Sequence, residues 1–165
     1  ALTQVLQKMI AGGHFVAAQK TDSTWLDVVY PWDILRLNDV VMGRIPSSLG
    51  GTIEAGCNIK GTVSIGEGSI IRSGCYIVGP VIIGGNCEVG PGVCILPSTS
   101  IGSNVVVSPF TLIWNCSIGN DVSIGPNSSL QDSIIASGTS LHDHFTARSG
   151  EATILIENEY HRVKM

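Results

Sequence analysis

The stretch SIGEGSIIRSGCYIVGPVIIGGNCEVGPGV, residues 64–93, places Ile65, Ile71, Ile77, Ile83 and Val89 at intervals of six. A helix repeats an apolar position every three or four residues and a strand every two, so neither alone explains the spacing. The same phase runs from Ile53 and Ile59 before it to Ile95, Ile101, Val107 and Ile113 after it, eleven positions without a slip. Four residues after each aliphatic stands a small or β-branched one, as at Cys57, Val63, Ser69, Cys75, Val81 and Cys87. Gly, Asn and Pro crowd the positions between, in IGGN, VGPG and IGSN, and these residues suit turns and backbone angles that others avoid.

The pattern predicts a mainly β protein built as a parallel β-helix. In each hexapeptide the aliphatic fills the prism, and the small residue points inward near a corner where room is short. Three hexapeptides close a coil of about 18 residues, and coils stack at the strand spacing of about 4.8 Å. A β-sandwich would alternate every two residues and turn every 8–12, so it does not fit. After Ile113 the phase shortens to a five-residue step at Ile118, resumes six at Ile124 and Leu130, and shortens again at Ile135 before Leu141. The short steps read either as a tightened corner or as a loop against a neighbour. The ladder thus spans about five coils, over residues 53–146. Phe145 brings a bulky ring to a place that was small in every earlier hexapeptide, and it is expected to close the end of the prism. Beyond it, EATILIENEYHRV alternates as a β-hairpin with Glu157-Asn158-Glu159 near its turn.

Bulk composition agrees with one domain and an appendage. Charged residues make up 13% of the 165, where roughly 25% is usual. A net charge of −4 gives no footprint for nucleic acid or an anionic membrane. No apolar run reaches the ~18 residues of a membrane span. No signal peptide opens the chain, so a cytoplasmic protein is expected. The chain begins inside a helical pattern without Met, which reads as a piece of something longer. Cys57, Cys75 and Cys87 take small inward positions and Cys94 the next one. Without CxxC spacing or an oxidising compartment they read as free core thiols, with Cys57 and Cys75 stacked in adjacent coils.

Ahead of the ladder, Leu2, Val5, Leu6, Met9 and Ile10 follow helical spacing and Gly12-Gly13 stops it. HFVAAQ then predicts a strand. Pro31 opens a second helix whose apolar face is Ile34, Leu37 and Val41, with Leu35 to one side and Asn38 near it. The expected boundaries are 1–48 for this helix-strand-helix segment, 49–146 for the β-helix and 147–165 for the tail.

LTQVLQKMIAGGHFVAAQ…STWLDVVYPWDILRLND, running into the ladder, resembles the closing segment of sugar-1-phosphate nucleotidylyltransferases. It is similar to the glucose-1-phosphate thymidylyltransferases and to the bifunctional N-acetylglucosamine-1-phosphate uridylyltransferase–glucosamine-1-phosphate acetyltransferases. The resemblance implies a left-handed coil, an exception to the right-handed crossover rule. It implies a homotrimer, with a nucleoside triphosphate and a sugar-1-phosphate as the whole enzyme's substrates and Mg²⁺ as its cofactor. Asp27 of Trp25-Leu26-Asp27 matches the family's metal-holding Asp, and reads otherwise as a turn residue before the second helix. Its partner carboxylate and the family's Gly-rich phosphate loop do not occur in this chain, so nucleotidyl transfer is not expected of it alone.

The resemblance also carries the acetyl half, in which a β-helix His is the general base and acetyl-CoA the cosubstrate. DSIIASGTSLHDHFTARSG, residues 132–150, resembles that stretch. With one inserted residue His144 falls where the base stands; His142 is the second candidate. The family's Tyr is replaced by Ala147, and the later coils with their Asn and Lys contacts are missing. Both His also read as solvated corner residues. His142 and His144 at spacing two further suggest zinc, as in γ-class carbonic anhydrases, with His14 or His161 as third ligand. The expected function is therefore trimer assembly within a nucleotide-sugar enzyme, with acetyl transfer as a second possible activity. A free-standing acyltransferase and a purely structural oligomerisation module are the alternatives.

Overall fold

An aliphatic side chain every sixth residue can be buried only if the chain turns three times per coil and lays each coil on the last. The structure, a computed structural model, does this. It describes residues 2–148 in full and residues 151–156 and 159–164 by their backbone. Three parallel sheets of six short strands form the faces of a left-handed β-helix. The first face runs from Ser48–Leu49 to Ile134–Ile135, the second from Thr52–Ile53 to Ser140–Leu141, and the third from Asn58–Lys60 to Thr146–Ala147. The core is the ladder itself, Ile65 through Leu141, joined by the small corner residues Val63, Ser69, Cys75, Val81, Cys87 and Val93. Corner hydroxyls are satisfied locally: Ser69 Oγ donates to Gly84 O at 2.7 Å and accepts from Cys87 N at 2.9 Å.

Each face carries six strands, against five coils expected. Leu49 pairs with Ile65 but lies four residues before Ile53, so a count by sixes misses it. At the far end Thr146–Ala147 adds a strand, and Phe145 is buried just before it, as expected of a closing residue. The five-residue steps are a tightened corner. Ile83 pairs with Ile101, eighteen residues on, whereas Ile101 pairs with Ile118, seventeen on. Both short steps fall between the third and first faces, where Asn115 and Asp132 turn at φ 49° and 48°. Asn and Asp tolerate this left-handed region better than most residues. Asn115 Nδ2 donates to Asp132 Oδ1 at 2.6 Å, tying the two tightened turns together.

Of the leading segment, both helices form. Helix α1 spans Leu2–Ala11 and ends on Gly13 at φ 77°, with His14 N donating to Met9 O and Gly13 N to Ile10 O. That pair of bonds satisfies carbonyls the helix leaves open. None of its residues is buried. HFVAAQ does not form the expected strand: residues 14–19 are exposed and unpaired by any strand among the described residues. A strand without a neighbour has no ladder to hold it.

Helix α2, Pro31–Met42, starts on Pro31, and the Asp33 carboxylate accepts from Tyr30 N at 2.9 Å and Val29 N at 3.1 Å. It packs on the last three strands of the first face. The buried side is not the expected one. Leu35 and Met42 are buried, while Ile34, Leu37 and Val41 are 37–45% exposed. Asn38 and Asp39 fix the helix rotation: Asn38 Nδ2 donates to Ser98 O at 3.2 Å, and Ser98 Oγ donates to Asp39 Oδ1 at 2.7 Å. Two directed bonds outweigh a purely apolar stripe. The tail pairs Glu151–Ile156 with Glu159–Lys164 antiparallel, as the alternation predicts; Glu157 and Asn158 lie outside the described residues.

Ile83→Ala, in a prism with no room to collapse, is expected to cost about 2–5 kcal/mol. Glu67→Ala, on the exposed surface, should stay within about 0.5 kcal/mol. Equal thermal shifts for the two variants would overturn the inward assignment.

Candidate functional site

The corner between the second and third faces gathers most of the chemistry. Ile53, Ile71, Val89, Val107, Ile124 and Leu141 lie in register on the second face. The residues that follow them, Glu54, Arg72, Gly90, Ser108, Gly125 and His142, therefore form one column. Two further on runs a column in the left-handed region: Gly56, Gly74, Gly92, Phe110, Asn127 and His144. His144, at φ 59°, is the last of these corner residues, and its N–H donates to Pro126 O at 2.8 Å.

His142 and His144 are thus brought to one exposed turn rather than to one strand. The ring of His142 lies edge-on to Phe145, centroids 5.5 Å apart. Its Nδ1 sits 2.6 Å from Asp143 O. A carbonyl only accepts, so Nδ1 carries the proton and Nε2 is the basic nitrogen. Asp27 lies far back in sequence, exposed in the irregular segment before α2. Among the described residues no three His, Cys, Asp or Glu come together as metal ligands. Mg²⁺ needs near-octahedral oxygen donors, and Asp27 by itself does not supply them. The described residues likewise bring no third His to His142 and His144; the side chain of His161 lies outside them.

Lower on the same corner, Arg72 donates from Nη1 to Glu54 Oε1 at 2.9 Å, and from Nη2 and Nε to Glu88 Oε1 at 2.7 and 3.0 Å. Glu54 also accepts from Ser73 N at 2.9 Å. The Arg72 hydrogen bond, then the Ser73 amide, hold the Glu54 carboxyl below its ordinary range, and Glu54 and Glu88 push Arg72 up. Gly90 leaves a gap in the column between Arg72 and Ser108. Around it opens a cleft of about 510 Å³, lined by the Glu54–Arg72–Glu88 ion pairs together with Pro91, Pro109 and Val106. Two carboxylates on one guanidinium leave it a net negative charge. His142 lies three coils beyond Gly90, about 14 Å at the strand spacing, so the cleft and the His turn are separate. Periodicity conceals this cluster, although Glu54 and Arg72 stand eighteen residues apart, one coil.

Residues 77–158 match the family model described as the GMPPB C-terminal domain. Over 66 residues the chain is 35% identical to the bifunctional protein GlmU of Methanococcus maripaludis strain C7, and equally to that of strain C5. The matched part is 40% of this chain and 16% of each relative's length. An N-acyltransferase from Bacillus cereus, AntD, solved in complex with dTDP and 3-hydroxybutyryl-CoA, covers 68% of the chain and 78% of its own. At 15% identity and a TM-score of 0.27, that likeness is distant. The family match, which covers the six-residue ladder from Ile77 onward, and the GlmU relatives agree in supporting this β-helix as a C-terminal part of the sugar-1-phosphate nucleotidylyltransferase type.

Proposed function

We propose that the chain serves as the assembly part of a sugar-1-phosphate nucleotidylyltransferase, holding three copies together through the third face of the β-helix. The observation that supports this most is the outward column of that face: Asn58, Tyr76, Cys94, Leu112, Ser129 and Thr146. Tyr76, Leu112 and the adjacent Trp114 are 38–44% exposed, and Lys60 is the one charge on the strands of this face. The last three strands of the first face are covered by α2, and the second face carries Glu88 beside Arg72. The outward apolar residues Ile70, Tyr76, Ile82, Cys94 and Val106 are divided among three faces, so only the third presents a continuous stripe. A flat apolar stripe on a protein surface marks a contact. The nucleoside triphosphate, the sugar-1-phosphate and Mg²⁺ belong in this reading to the whole enzyme, and Asp27 contributes only within it.

Light scattering at micromolar concentration should give about three times the chain mass of 17.3 kDa. Leu112→Glu with Trp114→Glu should reduce this to the single-chain mass. A monomeric unsubstituted chain would overturn the assembly reading. No pyrophosphate release is expected from any nucleoside triphosphate and sugar-1-phosphate.

Acetyl transfer from acetyl-CoA to an amino-sugar phosphate is a second reading, and the fixed tautomer of His142 favours it. Nε2 is the nitrogen that takes the amine proton as the amine attacks the thioester carbonyl, while Asp143 O holds the ring. A base without positioned contacts to the acceptor gains little. Acetyl transfer to glucosamine-1-phosphate is therefore expected at or near background. Transfer well above background that His142→Ala removes and His144→Ala leaves intact would establish the acetyltransferase and exchange the order of the two His.

A further inference from the structure

Cys57 and Cys75 occupy the same inward corner position in the first two coils, since the residues after them, Asn58 and Tyr76, pair in register. Their thiols repeat one geometry: Cys57 Sγ donates to Arg72 O and Cys75 Sγ to Gly90 O, both at 3.1 Å. Adjacent strands put their Cα atoms about 4.8 Å apart, inside the roughly 4.4–6.8 Å that a disulfide spans. No other cysteine has such a neighbour. Cys94 stacks between Tyr76 and Leu112, Cys87 between Ser69 and Val105, and Cys116 between Thr99 and Ser133.

The two thiols differ in surroundings. Cys75 is buried, and burial, with Cys57 beside it, pushes its thiol up to about 11. Cys57 is half-buried in the first coil, together with Ile53 and Ile59 at the less covered end of the prism. The third face begins with this coil, so its corner has a stacked neighbour on one side only. That end is open to a small oxidant and freer to shift by the few tenths of an ångström that bonding requires.

We propose that Cys57 and Cys75 are a modification site, at which a peroxide forms an intramolecular disulfide between the first two coils. The peroxide oxidises the Cys57 thiol to a sulfenic acid and leaves as one water. The Cys75 sulfur then attacks the Cys57 sulfur; the expelled hydroxide combines with the Cys75 proton as a second water. Two thiols lose two hydrogens, and one peroxide is reduced to two waters. The bond closes a loop of about 18 residues and restrains the unfolded chain, which favours the folded coil. It forms behind Arg72, whose carbonyl Cys57 now contacts.

The test treats the chain with hydrogen peroxide, blocks remaining thiols, and maps peptides without reduction. The expected result is an intact mass lower by two hydrogens and a cross-linked peptide pair joining Cys57 to Cys75. Dithiothreitol should reverse it, and the thermal midpoint should be higher in the oxidised form. Cys57→Ser and Cys75→Ser should each abolish the link. Cys75→Ser is expected to keep the fold, because Thr111 and Ser128 already hold this corner position with hydroxyls donating to Gly125 O; an unchanged circular dichroism spectrum checks this. Interchain Cys94 links as the main product, or Cys57 passing to sulfinic acid without the cross-link, would overturn the proposal.

Discussion

Every coil of this molecule must close at the same height and hand its hydrogen bonds to the next. The bond from Gly50 N to Ile65 O recurs along one face as Gly66 N to Ile83 O, Gly84 N to Ile101 O, Gly102 N to Ile118 O and Gly119 N to Ile135 O. At the turn between the first and second faces a Cβ finds no room in the middle coils: one added at Gly66, Gly84 or Gly102 would lie 2.4–2.6 Å from the nearest atom of the next coil. The closeness of the coils therefore selects glycine at this corner. Polar turns follow too. At the corner between the first and second faces, Ser103, Asn120 and Ser137 each accept the N–H of the residue one coil earlier, at Gly85, Ser103 and Asn120.

This constraint explains how much of the fold could be read directly. The ladder is legible because each hexapeptide obeys the same local rule, and a local rule leaves a periodic trace. Leu49 escaped because the entry into the first coil is shorter than the repeat. The rotation of α2 escaped because it is set by Asn38, Asp39 and Ser98, a contact across sixty residues that no periodicity records. HFVAAQ has strand-like residues, but pairing is a property of a neighbour and not of the segment.

The candidate site was legible to a lesser degree, for the same reason. His142 and His144 stood out as residue types, whereas their placement on a left-handed turn, and the tautomer that Asp143 O imposes, depend on the backbone. Glu54, Arg72 and Glu88 are unremarkable along the chain and become a cluster only when coils are stacked. Asp27 shows the converse: a short motif marks it, yet nothing among the described residues converges on it.

Helix α2 gives the solenoid a property that stacked coils alone lack. In a prism of this kind each coil contacts only its neighbours. Here the helix that precedes all six coils rests on the last three strands of the first face, with Asn38 bonded sixty residues away at Ser98. During synthesis at about 5–20 residues per second, α2 must wait roughly 3–12 s for Ser98 to be made, and longer for Ile134. Its Leu35 and Met42 are left in water for that interval. The helix therefore docks only after the strands it rests on, although it precedes them in the chain, and it ties the entry of the prism to its later coils.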